Sequence, residues 1–351
     1  MLTARELALA GCRVCVVDRQ APGQESSWAG GGIISPLFPW RYLDSVTALA
    51  SWGQAHYETL CDDLGSSSGI DPEYTRSGLV LVAPGEEEAA LAWAARHGHE
   101  MEHIDEAAFR QIEPAAATPA EAALWMPRVA QLRNPRLVKA LRRVLEADPR
   151  VELLSDNAVR GITVENGRCT GVLTERGPVA AGAVVTSAGA WSRGLLESLP
   201  HTPDLRPVRG QMLLFDTPPG TIQRMVLEAS RYVIPRRDGH VLFGSTIEEA
   251  GFAKETTAEA REELHTIATE RFPVLRNCPV VKHWAGLRPG SPAGVPYIGP
   301  HPDIACLFVN AGHFRNGIVL GAASARLAAD LVLGHPPILD PSPYGWTAPR
   351  G

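Results

Sequence analysis

The sequence predicts an α/β fold, a discontinuous nucleotide-binding domain with an inserted antiparallel α+β domain. Three observations carry this. Strand–helix units recur at the start, middle and end of the chain. Hairpin signals fill the stretches between them. A length of 351 residues suits about two domains. Segments 1–75, 134–204 and 288–351 are assigned to the nucleotide-binding domain, and 76–133 and 205–287 to the substrate domain.

Residues 2–10 read as an Ala- and Leu-rich helix stopped by Gly11. Residues 13–17 are a short apolar strand closed by Asp18. Together they are the second half of a strand–helix–strand unit. The first strand of such a unit is normally central in its sheet, so a natural start upstream of Met1 is expected. Residues 26–34 (SSWAGGGII) read as a glycine-rich loop, 78–83 as a strand and 86–97 as a helix. Residues 135–147 place Leu137, Leu141, Val144 and Leu145 at helical spacing. A strand follows at 151–154. Asn166-Gly167 between 162–164 and 169–174 is a strong hairpin signal. Residues 183–186 form a buried strand and 209–215 another. Asp238-Gly239 turns a second hairpin between 232–235 and 241–244. Residues 257–271 are a helix with Thr257 as its cap and Glu259 and Glu262 near its positive end. The strand 307–310 runs through 312–317 into a final apolar helix, 318–333, and the proline-rich tail is expected to be irregular.

Composition excludes several classes. Hydrophobic residues are 45% and charged residues 21%, ordinary for a packed globular protein. A mean hydropathy of -0.06 and the lack of a long apolar run argue against a membrane span. No basic start with an apolar stretch behind it suggests secretion, so a cytoplasmic protein is expected. A net charge of -6 lacks the footprint of a nucleic-acid binder. The cysteines Cys12, Cys15, Cys61, Cys169, Cys278 and Cys306 follow no framework, which fits a reducing compartment. Cys12 and Cys15 form C-x-x-C, but they are expected as buried structural thiols rather than a redox pair. His97, His99 and His103 lack partners at metal-ligand spacing, so surface histidines and no metal are expected.

Five features bear chemistry. Asp18 ends the second strand of its unit, where an acid bonds an adenosine ribose; the alternative is a turn cap. Gly30-Gly31-Gly32 lets backbone approach a ligand, and its flanks Trp28, Ile33 and Ile34 are apolar. Arg288 lies between glycine and proline in W-A-G-L-R-P, read as a loop, and its planar fork suits a carboxylate. A structural ion pair is the alternative. Asn310 to Gly317 (NAGHFRNG) leads a strand into a helix start, a place for an anionic ligand beside Arg315. Tyr232 opens the strand Y-V-I-P-R, and its functional reading depends on Arg288 and Arg315.

The order of these features resembles the D-amino-acid oxidase group of FAD enzymes, and within it the glycine oxidases of thiamine biosynthesis. The resemblance spans residues 2 to about 333, most specifically in SSWAGGGI, GLRPGSPAGVPYIG and NAGHFRNGI. It implies a Rossmann-like FAD-binding domain. It implies FAD contacts at Asp18 and Arg19 for the ribose, and at Ser26, Ser27, Gly31, Gly32 and Ile33. Backbone contact at Val159 is implied too, with flavin contacts from His313, Phe314, Arg315, Asn316, Gly317, Ile318 and Val319. Arg288 and Arg315 match the substrate-carboxylate positions and Tyr232 the active-site tyrosine. The implied reaction is oxidation of glycine or another small amino acid, with O2 as acceptor and peroxide as product, supplying thiazole synthesis. Ile247 and Phe314 are expected to limit substrate size. Assembly as a homo-oligomer is left open. Two alternatives stand beside this. One is a D-amino acid dehydrogenase or sarcosine oxidase-like enzyme. The other is a non-catalytic remnant unable to hold FAD, since the family's G-x-G-x-x-G precedes the position of Met1.

Overall fold

The computed structural model describes residues 1–83, 85–117 and 122–350. Its architecture is the mixed α/β one expected. Strand Val14–Val17 pairs in parallel with Val151–Leu154, and Val184–Thr186 pairs in parallel with Leu307–Ala311. Helices Asp44–Ser68, Asn134–Ala147 and Gly317–Leu333 share one core around Leu49, Tyr57, Leu141 and Leu320. Gly53 explains the closeness of the first and last of these. A Cβ there would sit 2.1 Å from the Val319 carbonyl oxygen. Tyr57 donates its hydroxyl hydrogen to the neighbouring Ile318 carbonyl.

The larger element is an eight-stranded sheet. Its order is Val280–Gly290, Arg206–Phe215, Val241–Gly244, Arg231–Pro235, Met225–Glu228, Leu79–Val82, Ala122–Met126 and Glu102–Asp105. Successive residues in a strand point to opposite faces. Met212, Tyr232, Leu79 and Leu81 therefore enter one core, shared with Ile33, Phe38 and Trp93. Leu213, Val233, Val80 and Val82 enter the other, under helix Ala258–Arg271. Burial on both faces is why 78–83 reads as an unbroken apolar run. Among the described residues no helix is long and apolar enough to cross a membrane.

Several sequence expectations need correction. The 25-residue helix Asp44–Ser68 went unread, because Gly53 and the run from Gly65 to Ser68 break the helical pattern. Residues 26–34 are not loop throughout, since Ser26–Ala29 close one helical turn. The segment around Arg288 is not a loop but the end of an 11-residue strand, where Gly286, Pro289 and Gly290 had signalled a turn. Cys15 is exposed and Cys12 half-buried, so the first strand does not hide its thiols. The tail also holds more order than expected. It forms the turn Ser342–Tyr344 and buries Tyr344 and Trp346.

Candidate active site

Register across the sheet sets up the site. Tyr232 lies opposite Gly244, Gly244 opposite Met212, and Met212 opposite Trp284. These side chains share one face. The next row on that face is Gly210 and Gly286, and the row after is Val208 and Arg288. Two glycines thus strip the sheet beside the arginine. Above Gly286 lies Ala29, close enough that an added Cβ would meet its Cβ at 2.6 Å. Trp284 donates its indole N–H to the Ala29 carbonyl at 3.0 Å. The glycine loop is thereby fixed over this face.

Arg288 lies flat on the bare lane. A Cβ on Gly210 would fall 2.1–2.3 Å from its Nη2, Nη1 and Cζ. Nη1 donates to the Arg209 and Thr246 carbonyls, each at 3.2 Å, and Nη2 to Ser245 Oγ at 2.6 Å. These bonds use three of the five guanidinium donors. No carboxylate pairs with Arg288 or Arg315 among the described residues. The nearby acid Glu248 is engaged by Arg209, Thr246 and Gln211. Burial pulls the Arg288 pKa below its ordinary value; Tyr232 opposes this and the Arg315 charge adds to it. The two cations therefore feel each other directly. Arg315 Nη2 is buried with no partner. Tyr232 is buried and points its hydroxyl at Met212 Sδ, 3.8 Å away.

The segment before the last helix is tied to the same strand. Phe314 N–H donates to the Pro289 carbonyl at 3.0 Å, and Ser291 Oγ to the Gly312 carbonyl at 2.6 Å. Gly312 and Phe314 both take positive φ, 88° and 45°, which folds the segment tightly. His313 Nε2 and both amide atoms of the buried Asn316 lack partners. Burial drops the His313 pKa to about 4, so its ring is neutral at neutral pH. Asn316 caps the last helix, whose first residues are Gly317, Ile318 and Val319.

The remaining residues expected at the cofactor fall between Asp18 and Ile33, with Val159 at the start of a strand in another sheet. Gly32 has φ 84°, and a Cβ there would strike the Leu132 carbonyl at 2.0 Å. Ile33 is buried beside it. Ser27 accepts from the Asn134 amide at 3.0 Å, while Ser26 begins the helical turn. Arg19 pairs with Glu25 and stacks over Trp191 at 3.7 Å. Asp18 ends its strand, and its Oδ1 accepts from the Gln20 N–H at 3.1 Å. Burial raises its pKa, with Gln20 and Arg19 opposing. Its carbonyl accepts from Asn157 N–H at 2.9 Å, which brings the chain just before Val159 alongside. Ile247 is 45% exposed.

Residues 1–331 match the family model described as FAD dependent oxidoreductase. The chain belongs to that family. It is 49% identical over all its length to a glycine oxidase of Pseudomonas putida, covering 95% of that protein. It is 47% identical to a glycine oxidase of Pseudomonas aeruginosa, covering 96%. A crystal structure of glycine oxidase from Geobacillus kaustophilus superposes with a TM-score of 0.91 at 27% identity, covering 100% of this chain and 96% of that one. FAD is the family's cofactor, and the residues present fit it. The glycine loop leaves the Gly31 and Gly32 N–H groups without acceptors among the described residues. Asn134 Oδ1, beside Gly32, and His313 Nε2 and the Asn316 amide before the last helix are buried and unpartnered. Such free donors and acceptors beside a glycine cradle suit a flat, hydrogen-bonding ring system.

Sequence reasoning missed Gly210, Ser245 and Thr246, which hold Arg288 in place. The signal was present in R-G-Q, a glycine in the interior of a strand, which marks a close approach. Ser245 and Thr246 carried no signal, because only the sheet register brings them to Arg288.

Proposed function

We propose that this protein oxidises glycine, or an amino acid or amine of similar size, to its imine. Water then gives the 2-oxo acid and ammonia, and O2 becomes hydrogen peroxide. The observation that carries this reading is the pair of half-buried guanidinium groups with no carboxylate of their own, set beside the glycine loop. Bound FAD supplies the acceptor for two electrons and the Cα hydrogen.

The chain's own residues bind and orient. Arg288 offers its Nε–H and second Nη2 N–H to the two oxygens of a substrate carboxylate. Arg315 adds the second positive charge and a free Nη2. Tyr232 closes the site from the same sheet face, with two strands between its own and that of Arg288; its hydroxyl, which rests against Met212 Sδ, would turn to the same oxygens. Phe314, held at positive φ, walls the site and limits side-chain size. Such fixed placement is where the protein's part of the rate arises. His313 stays neutral and adds no third cation. Asp18 and Arg19 take the ribose end of FAD. Ser26, Ser27, Gly31, Gly32, Ile33, Val159 and the 313–319 segment line the rest of its length. The imine product supplies a thiazole-forming step of thiamine synthesis. Free thiols throughout the described chain support a cytoplasmic home.

The test is peroxide formation from glycine, sarcosine and D-alanine by the FAD-loaded protein, with and without an artificial electron acceptor. Peroxide and glyoxylate in equal amounts, without the acceptor, are expected from glycine. Turnover that needs the acceptor would assign a dehydrogenase instead. No turnover of any small amine by flavin-loaded protein would end the reading.

A further inference from the structure

We propose that Arg236 is a positioning residue that clamps the Gly31 carbonyl and so aims the glycine loop's free N–H groups at FAD. Arg236 follows Pro235 at the end of the Tyr232 strand. Its side chain turns back under the loop. Nη2 donates to the Gly31 carbonyl at 2.7 Å. Nη1 donates to Gln131 Oε1 at 2.6 Å and to the Leu132 carbonyl at 2.9 Å. Gln131 is itself fixed, donating to Ser77 Oγ at 3.1 Å and to the Pro235 carbonyl at 2.7 Å.

Two features set this arginine apart from a structural tie. First, it is 93% buried and no carboxylate touches it among the described residues, since it is 7% exposed and forms no ion pair. The nearby acids Glu73 and Asp238 are bound to Arg133 instead. Burial lowers its pKa only to about 10, so it remains a cation at neutral pH. A buried unpaired charge is expensive, and a neutral side chain could tie two strands at less cost. Second, its acceptor is a peptide whose other end faces the site. In a trans peptide the C=O and the following N–H point in opposite directions. Holding the Gly31 oxygen inward turns the Gly32 N–H outward, where it has no acceptor among the described residues. The loop is packed closely on its inner side. A Cβ on Gly31 would meet Ile234 Cδ1 at 2.7 Å, and one on Gly32 the Leu132 oxygen at 2.0 Å. The cation also polarises the Gly31 peptide, which strengthens the outward N–H as a donor.

The inference rests on the family's cofactor and not on the choice of amino acid. The test is fluorescence titration of apoprotein with FAD for wild type, Arg236→Lys and Arg236→Met, with spectroelectrochemical midpoint potentials of the loaded proteins. Arg237→Met, on the exposed neighbour, is the control. Arg236→Lys keeps the charge but loses the fork, and binding about tenfold weaker is expected at near wild-type melting temperature. Arg236→Met should bind more weakly again and give the flavin a more negative potential, because the cation is gone. Affinity and potential unchanged in both variants would overturn the proposal. So would failure of both to fold, which would assign Arg236 to stability alone. If wild type itself takes up no FAD, the cofactor reading fails, an outcome distinct from equal binding by all three.

Discussion

Gly210→Ala tests the site through a residue that never meets substrate. The added methyl would lie 2.1 Å from Arg288 Nη2, 2.2 Å from Nη1 and 2.3 Å from Cζ. Ordinary contact begins near 3.5 Å, so the guanidinium must retreat by about 1.3 Å. Its bonds to the Arg209 carbonyl, at 3.2 Å, and Ser245 Oγ, at 2.6 Å, cannot survive that shift. A misplacement of about 1 Å costs roughly 100-fold in rate. Outright loss of a charge-paired fork costs about 2–5 kcal/mol, or roughly 30- to several-thousand-fold. The two routes agree on a fall of about 100- to 1000-fold in kcat/KM for glycine. The assay is peroxide release over a glycine series, with flavin content measured on each sample. Gly182→Ala is the control, since a Cβ there meets nothing within 4 Å. FAD-loaded Gly210→Ala with kcat/KM within threefold of wild type would refute the placement of Arg288 as the carboxylate clamp.

Other perturbations probe the same arrangement. Arg315→Ala removes the second cation and should raise KM for glycine at least tenfold, read by steady-state kinetics. Tyr232→Phe keeps the ring against Gly31 and loses only a hydroxyl, so a fall of about 2- to 10-fold in kcat/KM is expected. His313 gives a pH signature in the apoprotein. Its folded pKa, about 4, lies below the ordinary histidine value of 6.5, so the unfolded chain binds the extra proton first. Its contribution to stability is full above about pH 6.5, falls as pH drops toward 4, and then levels. The slope in that window approaches about 1.4 kcal/mol per pH unit. Urea midpoints at several pH values should show a shallower fall for His313→Gln, and parallel curves would contradict this.

The parts legible in the sequence were those written locally. The Asn166-Gly167 turn has φ of 49° and 72°, the left-handed pair that an N-G dipeptide announces. The Thr257 cap accepts from Ala260 N–H at 3.2 Å, as its position suggested. Arg288 stood out because glycine and proline flank it. Those flanks also misled, since the same residues that signal a turn can end a strand that accommodates a ligand. The glycines of Asp44–Ser68 hid a helix for a similar reason. Gly53 answers to a carbonyl 266 positions away, at Val319, and no local pattern encodes that. Ser245, Thr246 and Arg236 were invisible because their partners come from other strands or from the loop. Propensity speaks to neighbours in sequence, and these residues act on neighbours in space.

The way Arg288 is held bears on what it can bind. A carboxylate would fix a buried guanidinium more firmly, but it would also cancel the charge. Any substrate acid would then have to displace it or share the fork. Here two carbonyls and one hydroxyl set the orientation. Dipoles at these distances fix geometry while leaving the net positive charge uncancelled. Glu248, the acid close enough to neutralise it, is drawn off by Arg209, the residue that precedes Gly210. One strand segment thus supplies the acceptor carbonyl, the cation that occupies the competing acid and the glycine that makes room. Arg315 repeats the pattern with an Nη2 that has no internal acceptor. Two such cations side by side are mutually unfavourable, and an anion bridging both relieves the repulsion and pairs both charges together. On the proposed reading, a small carboxylate would be bound by a site already under electrostatic tension, while a neutral molecule of the same size would gain nothing from it.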